Sequence, residues 1–286
     1  MRRGRGAMGR RCVVLVLSPL LVITSCGGAE SSPTSSTVAT TKTTAGTTTA
    51  PTVTTTSSTT TTRPPSTTTL PPPTTTPTPT TTPVSSPAET VWQVNTSQPV
   101  LALTFDAGSD RGSAKEILTL LDERQIKATF GMTGRWAETN PDLVLRMIAE
   151  GHALMNHTYD HPHMETLTTS ERLDQLSMTE TIIQELTGTT TKPYFRPPYG
   201  AYNNRVLADV GAAGYRYSVM WTVDSLGWKG LSPSEVAERC LNGAQPGAIL
   251  LLHVGAASTD FEALPDILSG LTEAGYQFAT IRELLP

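Results

Sequence analysis

Reactive side chains follow five predicted strands of this 286-residue chain, each at the carboxyl end of its strand. They are Asp106, the pair His157 and His161, Arg196, Asp224, and His253. In parallel α/β folds the carboxyl ends of the strands meet on one face, and catalytic groups gather there. One such residue means little, but five strand ends in succession predict a single reactive site.

His157 and His161 are four residues apart, a spacing that can bring two imidazoles to one metal ion. Two nearby histidines are more often ordinary loop or surface residues. With further ligands and an open position they would form a catalytic site of the zinc type, which acidifies water and polarises a carbonyl oxygen. We interpret His152 as a packed residue at the start of a strand and His163 as a residue of the rim.

Asp106 and His253 each close an apolar strand. We interpret Asp106 as a general base near the metal, with a structural cap to the following loop as the alternative. We interpret His253 as a general acid at the mouth of the barrel, with a buried core histidine as the alternative.

The elements that must position these residues alternate between strand and helix from Pro99 onward. Seven strands are predicted: Val100–Phe105, Ala128–Met132, His152–Asn156, Tyr194–Arg196, Arg216–Thr222, Ala248–His253 and Phe278–Ile281. Helices separate them, and one helix opens with Pro141 at its first position. This alternation predicts an α/β fold with a parallel sheet, either closed into a barrel or open and doubly wound. The absence of a glycine-rich phosphate motif disfavours a nucleotide-binding protein.

The chain before the domain has a very different composition. Residues 31–90 contain 28 Thr, 9 Ser and 11 Pro, too little apolar surface to fold. We expect residues 26–90 to form a disordered Thr/Pro-rich stalk and residues 91–286 to form one catalytic domain. That domain carries 14 basic and 23 acidic residues, a net charge of −9 that argues against nucleic acid as a partner.

The N-terminus has the features of an export signal. Five arginines precede an apolar run over 12–23, which is too short to span a bilayer of about 30 Å. The run ends in Ile23–Gly27, which resembles a bacterial lipobox and predicts a signal over 1–25 and lipidation of Cys26. We therefore expect a lipid-anchored protein on the extracellular face of the cytoplasmic membrane, or a secreted protein if Cys26 is not lipidated. The domain's own cysteine, Cys240, is expected to be a buried structural thiol.

Five motifs, in this order, resemble the polysaccharide deacetylase family, the NodB-homology carbohydrate esterases. They are Thr104–Gly108 (TFDAG), His157–His161 (HTYDH), Arg196–Gly200 (RPPYG), Asp224 with Trp228, and Leu251–His253 (LLH). The resemblance covers nearly all of 100–285. It implies a distorted (β/α) barrel of about seven parallel strands. It also implies a divalent metal, zinc first and cobalt or manganese as alternatives, for removal of N- or O-acetyl groups from sugar polymers.

The resemblance also implies a role for each matching residue. Asp106 would be the general base that activates the attacking water. His157 and His161 would be metal ligands. His253 would be the acid that protonates the leaving amine or alcohol.

Other matching residues would support these groups. Arg196 would orient Asp106, and Asp224 would pair with Arg196. The backbone N–H of Tyr199 would stabilise the oxyanion. The substrate pocket would be lined by Pro197, Trp228 and Leu251.

Two departures from the family pattern stand out. A second Asp is commonly the third metal ligand, but this chain has Ala107 there, whose methyl group cannot bind a cation. Asp110 could supply the ligand; the alternatives are a further water, a lower metal affinity, or Asp110 as a loop residue that caps the next helix. An Asp also commonly precedes Trp228, and here Gly227 replaces it, which loosens the support around His253.

The leading expectation is a metal-dependent hydrolase that removes acetyl groups from cell-wall polysaccharide, with peptidoglycan first and chitin-like or xylan-like glycans behind it. Because Ala107 removes a ligand, a catalytically weak or inert glycan-binding barrel is the alternative. A surface adhesin with a structural barrel would need no metal. The expected partners are the acetylated polysaccharide and the membrane, and the protein is expected to be a monomer.

Overall fold

The computed structural model describes residues 86–108 and 110–286. The predicted signal, Cys26 and nearly all of the predicted stalk lie outside the described residues. The described chain holds nine strands: Glu89–Val91 (β1), Val100–Ala107 (β2), Thr129–Met132 (β3), Ala153–Asn156 (β4), Tyr194–Phe195 (β5), Tyr217–Val219 (β6), Val223–Asp224 (β7), Ile249–His253 (β8) and Gln277–Phe278 (β9).

Helices connect these strands. They are Ala114–Glu123 (α1), Gly134–Thr139 (α2), Pro141–Ala149 (α3), Thr169–Thr187 (α4), Asn204–Ala212 (α5), Pro233–Asn242 (α6), Asp260–Glu273 (α7) and Ile281–Leu284 (α8). Short 3₁₀ turns form at Met164–Thr166, Pro198–Gly200 and Gly227–Lys229. Capping boxes at Thr168, Ser232 and Thr280 set the starts of α4, α6 and α8 by satisfying backbone N–H groups.

Every pair of neighbouring strands is parallel, and the sheet order is β1-β6-β5-β4-β3-β2-β8-β7, with β9 beside β2. The sheet curls into a half-barrel with helices around it, which confirms the predicted distorted (β/α) barrel. A single antiparallel bridge between Gln93 and Ala248 links the chain after β1 to the start of β8.

Strand β2 shows how the barrel aims side chains at the site. Leu101, Leu103 and Phe105 are fully buried in the cluster between sheet and helices. Because side chains alternate along a strand, Thr104 and Asp106 lie on the opposite, inner face. The sequence of this strand therefore places a carboxylate inside the barrel at its carboxyl end.

The structure differs from the predicted elements in three places. Strand β1 begins at Glu89, inside the predicted stalk, and pairs with β6. The predicted strand Arg216–Thr222 is instead the short β6, followed by a separate β7 that pairs with β8. The last strand ends at Phe278, because Thr280 caps α8 and Ile281 begins that helix. No helix in 86–108 or 110–286 has the length and apolar character needed to cross a bilayer.

Candidate active site

Asp106 is held at the end of β2 by the buried Arg196. Nη1 of Arg196 donates to Oδ1 of Asp106 at 2.8 Å, and the Arg196 side chain is fully buried. The other guanidinium donors bind Thr104 Oγ1 and the backbone oxygens of Val219 and Met220. A charge-assisted bond from a planar guanidinium that makes four hydrogen bonds fixes the orientation of the carboxylate.

The charge state of Asp106 follows from its neighbours. Burial alone would raise the pKa of this carboxyl, but Arg196, His157 and His253 outweigh burial and lower the pKa below its usual value. Asp106 is therefore ionised at neutral pH. The neighbouring strand makes room for it, because a Cβ at Gly131 would lie 2.7 Å from Asp106 Oδ1.

His157 presents one ring nitrogen to Asp106. Its Nδ1 lies 2.9 Å from the backbone oxygen of Arg196, and because a carbonyl only accepts, Nδ1 carries the proton. Burial lowers the pKa of His157, so the ring is neutral at neutral pH and its Nε2 has a free lone pair. His157 Nε2 lies 3.6 Å from Asp106 Oδ2. Two hydrogen-bond acceptors therefore face each other across a gap that a cation or a water can fill.

His161 joins His157 in this cleft. Their ring centroids are 4.8 Å apart, and burial lowers the pKa of His161 to about 4. Both imidazoles are therefore neutral near pH 7, the form in which histidine binds metals.

Strained backbone is concentrated around these residues. Five non-glycine residues of the described chain have positive φ, and four of them adjoin the cleft: Thr158, His161, Tyr199 and Leu226. Such conformations cost of order 1 kcal/mol each and persist where the surroundings impose them. At Tyr199 (φ 60°) the described hydrogen bonds leave the backbone N–H without a partner. This N–H is available to an oxyanion.

A cleft of about 600 Å³ collects most of the predicted site residues. Nine of them line it: Asp106, His157, His161, Pro197, Tyr199, Asp224, Trp228, Leu251 and His253. Arg196 lies behind Asp106 rather than in the lining. The cleft also contains Trp221 and Lys229, which the sequence reasoning missed. Trp221 follows β6, and its ring lies 5.7 Å from the Arg196 guanidinium, a contact that only the structure reveals.

One predicted contact, between Asp224 and Arg196, does not form. The predicted pair is wrong, since the two side chains share no hydrogen bond or salt bridge in the described chain and Arg196 binds Asp106 instead. Asp224 Oδ1 instead accepts hydrogen bonds from Trp228 Nε1 at 3.1 Å and from the Leu226 backbone. Asp224 therefore orients the indole at the cleft.

Asp110 does not join the two histidines. Its Oδ1 accepts a hydrogen bond from the Ala256 backbone N–H at 2.9 Å, and the residue is exposed and outside the cleft lining. Ala107 is buried in the apolar cluster beneath the helices. No group of three His, Cys, Asp or Glu side chains in the described chain is arranged as a metal site. The candidate ligands for a cation at this site are therefore the imidazoles of His157 and His161.

The remaining histidines and the cysteine agree with their predicted structural roles. His152 is buried and its Nδ1 accepts a hydrogen bond from the Ala128 N–H at 3.1 Å. His163 stacks on Tyr199 at the rim, with ring centroids 4.2 Å apart. Cys240 is buried, which raises its thiol pKa to about 12 and makes it a poor nucleophile.

Sequence comparison now adds to the geometry. The sequence profile described as polysaccharide deacetylase matches residues 93–218. The Bacillus subtilis peptidoglycan-N-acetylmuramic acid deacetylase PdaA is 32% identical over 67% of this chain and 73% of its own length. The chain belongs to the polysaccharide deacetylase family. The expectation of a polysaccharide deacetylase is confirmed at the level of the family.

Other members of the polysaccharide deacetylase family extend the comparison. A Bacillus cereus peptidoglycan-N-acetylglucosamine deacetylase is 35% identical over 63% of this chain and 66% of its own length. The crystal structure of PdaA, a family 4 carbohydrate esterase, matches 68% of this chain and 84% of the PdaA chain with a TM-score of 0.64 and 31% identity. An uncharacterized Bacillus subtilis relative is matched over only 60% of its length.

One structural relative is named a pseudoenzyme. A family pseudoenzyme from Bacillus anthracis is 31% identical, covers 70% of each chain and has a TM-score of 0.65. A mutant of that protein is described as having restored enzymatic activity. Membership of the family therefore does not by itself establish catalytic activity, which depends on the residues of the site.

Proposed function

We propose that this protein is a deacetylase of cell-wall polysaccharide, with peptidoglycan as its first candidate substrate. The observation that carries the proposal is the ionised Asp106, bonded to Arg196 at 2.8 Å and facing two neutral histidines in one cleft. A glycan-binding protein has no need of a buried carboxylate held ionised against its desolvation cost. The peptidoglycan deacetylases among its relatives support the choice of substrate.

The proposed reaction uses the chain's own groups in sequence. Asp106 accepts a proton from the water that attacks the acetyl carbonyl carbon. The Tyr199 N–H donates to the developing oxyanion. His253 then protonates the leaving nitrogen as the C–N bond breaks, which releases acetate and the free amine. Pro197, Leu251 and Trp228 line the surrounding pocket.

The hydrogen bonding of His157 supports a divalent metal at the two histidines. His157 has its Nδ1 bonded to a backbone carbonyl, the outer contact that aims the opposite nitrogen at a metal. We propose that His157 and His161 hold the ion, with zinc first and cobalt or manganese as alternatives. Deacetylases of this family generally depend on a metal. When bound, such an ion supplies positive charge that polarises the acetyl carbonyl and acidifies water.

The cellular location of the protein is proposed from its sequence. Residues 1–25 would be a lipoprotein signal, Cys26 the lipid attachment site and the segment up to about residue 88 a stalk. The folded domain begins a few residues before 91, because β1 starts at Glu89. Attachment outside the cytoplasmic membrane would bring a monomeric domain to the cell wall.

Release of acetate tests the proposal. The purified protein is stripped with a chelator, reloaded with zinc, cobalt or manganese, and incubated with peptidoglycan and with N-acetylglucosamine oligomers. We expect acetate in the metal-loaded reactions and little after stripping. No acetate from any acetylated glycan with any of these metals would overturn the proposal.

A second candidate function has a specific observation in its favour. Ala107 and the likeness to a family pseudoenzyme favour an inert glycan-binding barrel. That protein would bind peptidoglycan in a sedimentation assay and release no acetate, so the same samples separate the two functions.

A further inference from the structure

A buried carboxylate lies beside the proposed acid, on an element outside the five motifs. Asp260 is the first residue of α7, and its side chain is fully buried. Its Oδ2 accepts a hydrogen bond from the backbone N–H of His253 at 2.7 Å and lies 3.5 Å from Nδ1 of the same residue.

Each residue of this pair has one buried side-chain atom without a hydrogen-bond partner. Nδ1 of His253 and Oδ1 of Asp260 are both buried and lack a hydrogen bond within the described chain. An unpaired buried polar atom is costly, so a small rotation that closes the 3.5 Å gap between His253 Nδ1 and Asp260 Oδ2 is favourable. The His253 side chain keeps 26% of its surface exposed, so its other edge is open to the cleft that it lines.

Gly227 makes the space that Asp260 occupies. A Cβ at position 227 would overlap Oδ1 of Asp260 and lie 2.9 Å from its Cγ. The φ angle of Gly227 is outside the left-handed region, so its backbone would accept another residue. The family pattern commonly has a carboxylate at position 227. In this chain Gly227 has no side chain, and the carboxylate of Asp260, from α7, occupies the space beside it.

We propose that Asp260 positions His253 and stabilises its imidazolium form, in place of a carboxylate at position 227. The inference rests on the proposed deacetylase function. His253 gives its Nε2 proton to the leaving nitrogen, which takes the electron pair of the breaking C–N bond. The neutral ring keeps its other proton on Nδ1, facing Asp260. Asp260 acts through His253 and does not touch the substrate, so it is a positioning residue.

The first test compares two substrates in the metal-loaded full chain. Asp260→Asn keeps an oxygen acceptor for the His253 N–H and removes the charge. We expect kcat on N-acetylglucosamine oligomers to fall by about ten- to a hundredfold with KM nearly constant. Hydrolysis of 4-nitrophenyl acetate should change less than about twofold, because its leaving group needs no proton. An equal loss on both substrates, or no loss on the oligomers, would overturn the proposal.

The second test moves the carboxylate. Asp260→Ala alone should lose activity on the oligomers. Adding Gly227→Asp to that variant should raise kcat on the oligomers at least tenfold above that of Asp260→Ala. Recovery would exclude a merely structural role for Asp260, since the two residues are on different elements. A double variant no better than Asp260→Ala would contradict the proposal.

A third measurement needs no substrate, so it separates this inference from the proposed function. In ¹⁵N NMR spectra at alkaline pH, neutral His253 should carry its proton on Nδ1 in the wild type and on Nε2 in Asp260→Ala. A proton on Nε2 in both proteins would refute the pairing even if the wild type releases acetate. A proton on Nδ1 in the wild type alone would support the pairing even if no acetate appears.

Discussion

Arg196 is the residue on which the geometry of Asp106 depends. It is fully buried, and its donors bind Asp106, Thr104 and the backbone oxygens of the last residue of β6 and of the residue after it. A guanidinium with this many fixed bonds cannot follow the carboxylate if Asp106 turns, so the carboxylate stays where Arg196 holds it. The same bonds explain why Asp224 is left to orient Trp228.

The metal ligands can be tested residue by residue. His161→Ala should remove one of the two imidazoles of the cleft and lower zinc occupancy after dialysis by at least tenfold. Asp110→Ala should leave occupancy unchanged within about twofold, because its carboxylate is bonded to the Ala256 N–H. Zinc is measured by mass spectrometry on folded, monodisperse samples. A large loss of zinc from Asp110→Ala, with His161→Ala unaffected, would reverse the assignment.

At the residue scale the sequence was most informative about strand ends. Asp106, His157 and His253 could be found because they lie at the carboxyl ends of apolar strands, and these ends converge in parallel folds. Asp260 could not be found, because it becomes relevant only through the space left by Gly227 on another element. Trp221 was missed for a similar reason, because its contact with Arg196 joins the segments that follow β5 and β6.

At the element scale, the residue directly before β4 is a histidine that links stability to pH. His152 is buried, and its Nδ1 accepts from the Ala128 N–H that precedes β3. Burial lowers its pKa from 6.5 to about 4. Between those values the unfolded chain binds a proton that the folded chain does not, so His152 makes stability fall as pH is lowered from 6.5 to 4.

Substitution of this histidine should flatten the pH dependence. His152→Asn keeps an acceptor for Ala128 but cannot titrate. We expect the wild type to lose up to about 3 kcal/mol more than the variant between pH 6.5 and 4, at about 1.4 kcal/mol per pKa unit. Urea unfolding at several pH values measures this difference. His163→Asn, at the exposed rim, is the control, and parallel curves for wild type and His152→Asn would contradict the interpretation.

The elements that could be predicted were long and strongly patterned. Strand β2 and helices α1 and α6 have apolar faces with a clear period. Strands β1 and β7, of three and two residues, are too short for a period and exist through pairing with β6 and β8. Helix α2 has six residues and depends on the Thr133 cap and the burial of Trp136.

At the scale of the whole molecule, the domain is proposed to work from a tether. Composition separates a Thr/Pro-rich segment from an acidic domain, and this division followed from counting alone. The curvature of the sheet could not be counted in this way, because it comes from the order of nine strands that are distant in sequence. The resemblance in five motifs predicted the barrel, and the pairing of the strands explains its curvature.

The tether predicts where the protein is found. In a bacterial host with a lipoprotein pathway, the full chain should incorporate radiolabelled palmitate and fractionate with membranes. Cys26→Ser should abolish the label and shift most of the protein to the medium, because a signal without its lipidated cysteine gives no anchor. Cys240→Ser is the matched control, as this thiol is buried in the domain. Label retained by Cys26→Ser would contradict lipidation at this residue.

The central claim is that Asp106 makes this barrel a deacetylase, and one comparison tests it most directly. Acetate released from peptidoglycan is measured for the zinc-loaded wild type and for Asp106→Asn, which is isosteric and retains an oxygen for Arg196. General-base catalysis predicts that the variant is slower by about a hundred- to ten-thousandfold, with its zinc content and melting temperature nearly unchanged. Equal acetate release by the two proteins would contradict the account.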